Sequence, residues 1–119
     1  MYIKTMDPHI LVYIFHIIIV GSLFIYVGIT KDKIPSVMYT ILFYLGIIIF
    51  FYHIYKVYNY IKIGKGYWVN LIHIFIVAPI LVYIGYNRDK TRRLFYEILL
   101  MLGFAAIGYH GYYLIKSIY

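Results

Sequence analysis

Four histidines, His16, His53, His73 and His110, have the widest chemical range in this chain. An imidazole can ligate iron, zinc or copper, move a proton near neutral pH, or hydrogen-bond a hydroxyl. Their spacing is regular: His16 to His73 is 57 residues, and so is His53 to His110. Tyr52 and Tyr109 precede the second pair at the same offset, and Asn70 lies one helical turn before His73. These seven residues form the candidate polar or ligand layer. Two opposed imidazoles in an apolar bundle would suit bis-histidine haem b, and four nitrogens would suit a transition metal. Titratable His and Tyr groups would suit a proton or ion path, as in a small transporter. Neutral imidazoles bonded to Tyr hydroxyls and to each other would tie helices together, at about 0.6–2 kcal/mol each. All three readings stay open at this level.

No phosphate-binding loop, nucleophile–base pair or paired carboxylate is present. A haem or metal redox role is the single enzymatic reading left, and the expectation is a protein that is not an enzyme. The absence of cysteine excludes disulfides and thiolate metal ligands.

The regular spacing extends far beyond the histidines. With residues 16–62 laid over residues 73–119, seventeen of the 47 pairs are identical without a gap. They include Tyr26/Tyr83, Gly28/Gly85, Asp32/Asp89, Lys33/Lys90, Tyr39/Tyr96 and Gly46/Gly103. Apolar composition would match some Ile and Leu by chance, but not polar residues and glycines at one offset. The chain therefore reads as a tandem repeat, residues 9–62 and 67–119, within one transmembrane domain spanning 1–119.

The positioning elements follow from hydropathy. The chain has 119 residues, is 65% hydrophobic and has a mean hydropathy of +0.85. A soluble domain of this size cannot hide so much apolar surface. The apolar residues fall into blocks at 9–30, 36–60, 67–87 and 94–118, each long enough to cross about 30 Å of hydrocarbon as a helix. Ile, Val, Tyr and Phe favour strands in water, but lipid demands that each segment satisfy its own backbone. A membrane barrel would need short alternating strands, which are absent. The first block has no small-residue cleavage site after it and is expected to be a span, not a signal peptide.

The expected fold is an all-α, four-transmembrane-helix bundle made of two tandem helical hairpins. An even number of crossings per repeat puts the pseudo-twofold axis along the membrane normal. Asp7-Pro8 should start the first helix. Residues 31–35 and 87–93 are charged turns on one side, and Gly64 and Gly66 link the halves on the other. The turns carry the more compact positive cluster, so they are expected on the cytoplasmic side. The net charge of +7 flanks the spans and reads as attachment to anionic lipid headgroups, not as nucleic-acid binding.

Rise per residue puts the four histidines about 21–25 Å from the turn side, in one layer. Helical spacing groups His53 with Gly46 and Phe50, and His110 with Gly103 and Ala106. It groups His16 with Tyr13, Val20 and Leu23, and His73 with Asn70, Val77 and Ile80. Gly46 and Gly103 should let the second and fourth helices approach, with His53 facing His110. Pro79 should kink the third helix. The seventeen tyrosines gather near span ends, as aromatic belts do.

The phrases Ile14-Phe15-His16-Ile17-Ile18-Ile19-Val20-Gly21 with Tyr26-Val27-Gly28, and His73-Ile74-Phe75-Ile76-Val77-Ala78-Pro79 with Tyr83-Ile84-Gly85, resemble small multi-pass membrane proteins of nucleocytoplasmic large DNA (giant) viruses. That resemblance implies an internal virion membrane or host membrane. The expected function is structural or assembly-related, with viral proteins or further copies of the chain as partners. The resemblance supplies no active residues.

Overall fold

The computed structural model describes residues 8–119. No strand occurs among them, and four helices carry the chain: α1 (Ile10–Lys33), α2 (Ser36–Ile63), α3 (Trp68–Lys90) and α4 (Arg93–Ile118). They hold 24, 28, 23 and 26 residues, or about 35–42 Å each at 1.5 Å per residue. All four are long and apolar enough to cross a membrane.

Local sequence sets the helix ends. The expected cap Asp7 lies outside the described residues, and α1 starts after Pro8 and His9. α1 ends in a 3-10 turn, Lys31–Lys33, and Pro35 stands immediately before α2. α2 stops at Gly64, whose φ of 72° is the left-handed geometry glycine takes without steric penalty. Tyr67 precedes α3, which ends in the 3-10 turn Arg88–Lys90. Lys31 and Arg88 have φ of 57° and 56°, a region side-chain-bearing residues seldom adopt. Both tight turns were anticipated, but no glycine marks them. At Arg88 the strained geometry is held by bonds from its side chain and to its carbonyl.

Packing divides the chain into two compact units. One takes the chain up to Ile29 and again from Glu97 to Tyr119; the other is Thr30–Tyr96. In the first, α1 and α4 run antiparallel, with Gly21 against Ile107, Gly103 against Ile25 and Gly28 against Leu100. In the second, α2 and α3 do the same, with Gly46 against Val82 and Gly85 against Phe43. A Cβ at Gly28 would lie 2.5 Å from Leu100 Cβ, and one at Gly85 would lie 2.5 Å from the Phe43 backbone nitrogen. Glycine is required at both, because only a missing side chain lets two backbones come this close. Phe24, Val27 and Leu99 are buried in the first unit, and Leu42, Leu81 and Ile84 in the second. Large apolar side chains cover much of the outer surface, among them Leu11, Phe75 and Met101, each about 70% exposed. Near the end of α2, Lys62 lies 4.3 Å over the Tyr58 ring and Lys56 lies 4.9 Å over Tyr60. Aromatic rings paired with lysines suit a headgroup boundary.

The helix faces depart from simple 3.6-residue spacing at two places. His16–Val20 and His73–Val77 are π-helical, with the Gly21 N–H bonded to the His16 carbonyl and the Ala78 N–H bonded to the His73 carbonyl. Such a bulge inserts one residue into the helix. The face expected after His16 was Val20 and Leu23; the buried residues are Gly21, Phe24, Val27 and Gly28. After His73, Ile80 was expected; Ala78, Leu81, Ile84 and Gly85 are buried, with Val77 retained. Pro79 contributes a missing N–H just beyond the second bulge. The first bulge has Ser22 at that place, so proline is not the shared cause.

Candidate functional site

The four histidines fall two and two between the units. In the α1–α4 unit, His16 stacks on His110 with ring centroids 4.2 Å apart and planes inclined by 28°. In the α2–α3 unit, His53 stacks on His73 at 4.2 Å and 6°. The stacking partner of His53 is thus His73, not the His110 expected from the glycine faces, and that of His110 is His16. The reason lies first in the helix pairing: Gly46 packs against Val82 of α3 and Gly103 against Ile25 of α1, so α2 and α4 each meet another helix at these faces. The bulges then turn the start of α1 and of α3 so that each histidine there reaches the helix packed against it.

The rings are oriented from their own helices. The Nδ1–H groups of His16, His53 and His73 donate to the carbonyls of Val12, Ile49 and Val69 at 2.8, 2.8 and 2.7 Å. Each acceptor is four residues back, so a helical turn supplies the bond with no contribution from outside. A neutral ring held this way presents Nε2 as its acceptor nitrogen. His110 is buried; the other three are partly buried.

The remaining residues of the candidate layer follow the same division. Tyr109 meets His110 edge-on at 5.1 Å and lies 4.9 Å from Tyr113. Tyr13 of α1 approaches His110 at 6.1 Å and Tyr113 at 6.3 Å, so the α1–α4 pair sits in a tyrosine cluster. Asn70 is buried one turn from His73. Tyr52 touches the edge of His53 at 5.2 Å, but its ring is largely exposed.

The stacked geometry constrains the chemistry. Imidazole lone pairs lie in the ring plane, so two face-to-face rings do not aim nitrogens at an ion between them. Axial ligands on opposite sides of one iron need the reverse, each ring edge pointing at the metal over a bond of about 2 Å. Neither pair is therefore arranged as a bis-histidine haem site. No group of three or more His, Cys, Asp or Glu is placed to hold a metal ion among the described residues. Stacking between neutral rings joins two helices through dispersion and polar contact.

A second polar centre lies at the turn end of the Thr30–Tyr96 unit. The Tyr39 and Tyr96 hydroxyls are 2.8 Å apart, and the Tyr96 hydroxyl donates to the Arg88 carbonyl at 3.2 Å. Thr91 gives the same carbonyl a hydroxyl bond at 2.6 Å and a backbone bond at 3.1 Å. The Arg88 guanidinium donates to the Ser36 carbonyl at 2.8 Å and the Ser36 hydroxyl at 2.6 Å. It also stands 5.4 Å over the Tyr39 ring. The identity of Tyr39 and Tyr96 at the 57-residue offset was a usable signal for this centre. The part played by Arg88 had none, because Lys31 occupies the matching place.

No family model, curated protein or solved structure matches the chain.

Proposed function

We propose that this chain is a small multi-pass integral membrane protein with a structural or assembly role, whose histidines join helices. The observation that carries the reading is the pairing itself. Each histidine pair couples two antiparallel helices, and three of the four rings are held by their own helical carbonyls. The apolar outer surface and the four span-length helices support insertion in a bilayer.

In the same proposal the fold is a four-helix bundle of two tandem hairpins with pseudo-twofold symmetry along the membrane normal. Its support is a set of contacts that recur at one offset. Gly28 opposes Leu100 as Gly85 opposes Phe43, and Gly103 opposes Ile25 as Gly46 opposes Val82. The π segments and the positive-φ turn residues recur in the same way. On the resemblance to giant-virus proteins, the proposed setting is an internal virion membrane or a host membrane, with viral proteins or further copies as partners.

The test is a visible spectrum, metal analysis and thermal unfolding of the detergent-purified chain and of its four His→Ala variants. No Soret band, no stoichiometric metal and a loss of about 0.6–2 kcal/mol per variant are expected. A Soret band or bound metal that disappears in a histidine variant would replace the structural reading with haem or metal binding.

A further inference from the structure

We propose that the groove between α2 and α3 holds one acyl chain of an anionic phospholipid, with its headgroup at the charged turn after α3. The proposal rests on the membrane reading above and gives it a specific ligand.

The groove has a volume of about 450 Å3 and lies between α2 and α3. Phe50 and Phe51 form one wall; Pro79, Val82, Tyr86 and Asn87 form the other. It exists because Ala78 and Pro79 are short where Phe50 and Phe51 are long. From Pro79 to Asn87 the helix rises about 12 Å, so the groove runs from within the span to its turn end. Its walls are apolar along that length. A void against such walls forfeits dispersion contacts, and water would find no partners there. Hydrocarbon fills it without either penalty.

The polar surface beyond its turn end identifies which lipid. Tyr86 also borders a neighbouring hollow lined by Thr40 and Arg88. Ser36 and Thr40 fix the Arg88 guanidinium there. With five N–H donors in all, the group keeps donors for a phosphate. Lys90, Arg92 and Arg93 follow within five residues, against the single carboxylate of Asp89. The Lys31–Lys33 turn packs on Arg88–Lys90 and adds two lysines against Asp32. An apolar slot ending at concentrated positive charge complements a lipid with a hydrocarbon tail and an anionic head.

The experiment uses the full chain with Trp68→Phe and Phe51→Trp, so that the sole tryptophan lies in the groove. It is reconstituted in phosphatidylcholine vesicles with equal mole fractions of brominated phosphatidylglycerol or brominated phosphatidylcholine. Quenching should show at least about fivefold higher apparent affinity for phosphatidylglycerol, the effect of one well-placed basic residue. A tryptophan at exposed Ile115 should show no such preference. Lys90→Gln and Arg92→Gln, both at exposed positions, should each reduce the preference severalfold without changing quenching by phosphatidylcholine. Pro79→Phe should fill the groove and abolish it. Equal quenching by the two lipids overturns the proposal, as does a preference that survives both charge variants. A dimer seen by native mass spectrometry, with the groove tryptophan shielded from both lipids, overturns it in favour of a second copy. If instead the membrane reading fails, the chain does not enter the vesicles at all.

Discussion

The hydroxyls of Tyr39 and Tyr96 lie 2.8 Å apart, 57 residues apart in sequence, with both side chains buried. The two roles are unequal. Tyr96 spends its single proton on the Arg88 carbonyl, so Tyr39 donates to Tyr96. Tyr96 is therefore the middle of a chain of bonds, and Tyr39 is its end.

That asymmetry gives the first prediction. Tyr39→Phe removes one bond and leaves Tyr96 satisfied by Arg88, at a cost of about 1 kcal/mol. Tyr96→Phe strands the buried Tyr39 hydroxyl and takes a donor from the Arg88 carbonyl, at about 2–3 kcal/mol. The double variant should lose less than the sum of the two. Denaturation in mixed micelles measures all three, and equal costs for the single variants would show that the bonds do not form this chain.

The glycines separate close contact from mere flexibility. Gly28→Ala and Gly85→Ala should each destabilise by more than about 2 kcal/mol, because the new methyl meets backbone that cannot retreat. Gly108 and Gly111 have nothing within 4 Å of an added Cβ, so Ala there should be neutral or stabilise by up to about 1 kcal/mol. Thermal unfolding in detergent distinguishes the two classes, and a uniform response would rule out the close approaches.

Much of the architecture was legible because length and hydropathy act over whole segments. Four apolar blocks became four helices, with ends within a few residues of Pro35, Gly64, Tyr67 and Arg93. The partners of the histidines were not legible. A face drawn at 3.6 residues per turn from His16 leads to Val20 and Leu23, and one inserted residue moves it to Gly21 and Phe24. Nothing in the side chains of Ile17, Ile18 and Ile19 announces a π-turn, since a bulge depends on the helix packed alongside. The glycine pairs were visible, but their partners needed the helix pairing, which joins α1 to α4 and α2 to α3 across the two halves.

Topology is testable in this cysteine-free chain. The two charged turns touch within one unit, so cysteines at Lys33 and Lys90 should react with an impermeant reagent from the same side of a vesicle. A cysteine at Lys65, a span away at the far end of α2, should react from the opposite side. Labelling of Lys33 and Lys65 positions from one side would leave α2 outside the bilayer.

The π segments supply the sharpest test of the histidine pairs. Deleting Ile18 removes the residue that the first bulge inserts, so the helix can return to regular spacing. His16 then stands four residues before the Gly21 position instead of five, on the face the bulge had given it, so His16 should stay on His110. Inserting one alanine after Ile18 adds a residue beyond the one the bulge absorbs. The stripe Gly21, Phe24 and Gly28 should stay on α4, because its tight contacts admit no other register. Everything before the insertion then rotates by about 100°, the angle of one helical residue, and His16 leaves His110. Deletion of Phe75 and insertion after it should act likewise on His73 and His53. Cysteine pairs at 16/110 and 53/73, joined by a short bifunctional thiol reagent and detected by mass spectrometry, follow the change. Crosslinks should form at both pairs in the parent and in the deletion variants, and each insertion should abolish its own while sparing the other. His16→Ala should cost less in the chain with the first insertion than in the parent, because its contact is already lost. Loss of the 16/110 crosslink on deletion of Ile18, or its survival of the insertion, would mean that the bulge does not aim the ring, and the pairing would need another cause.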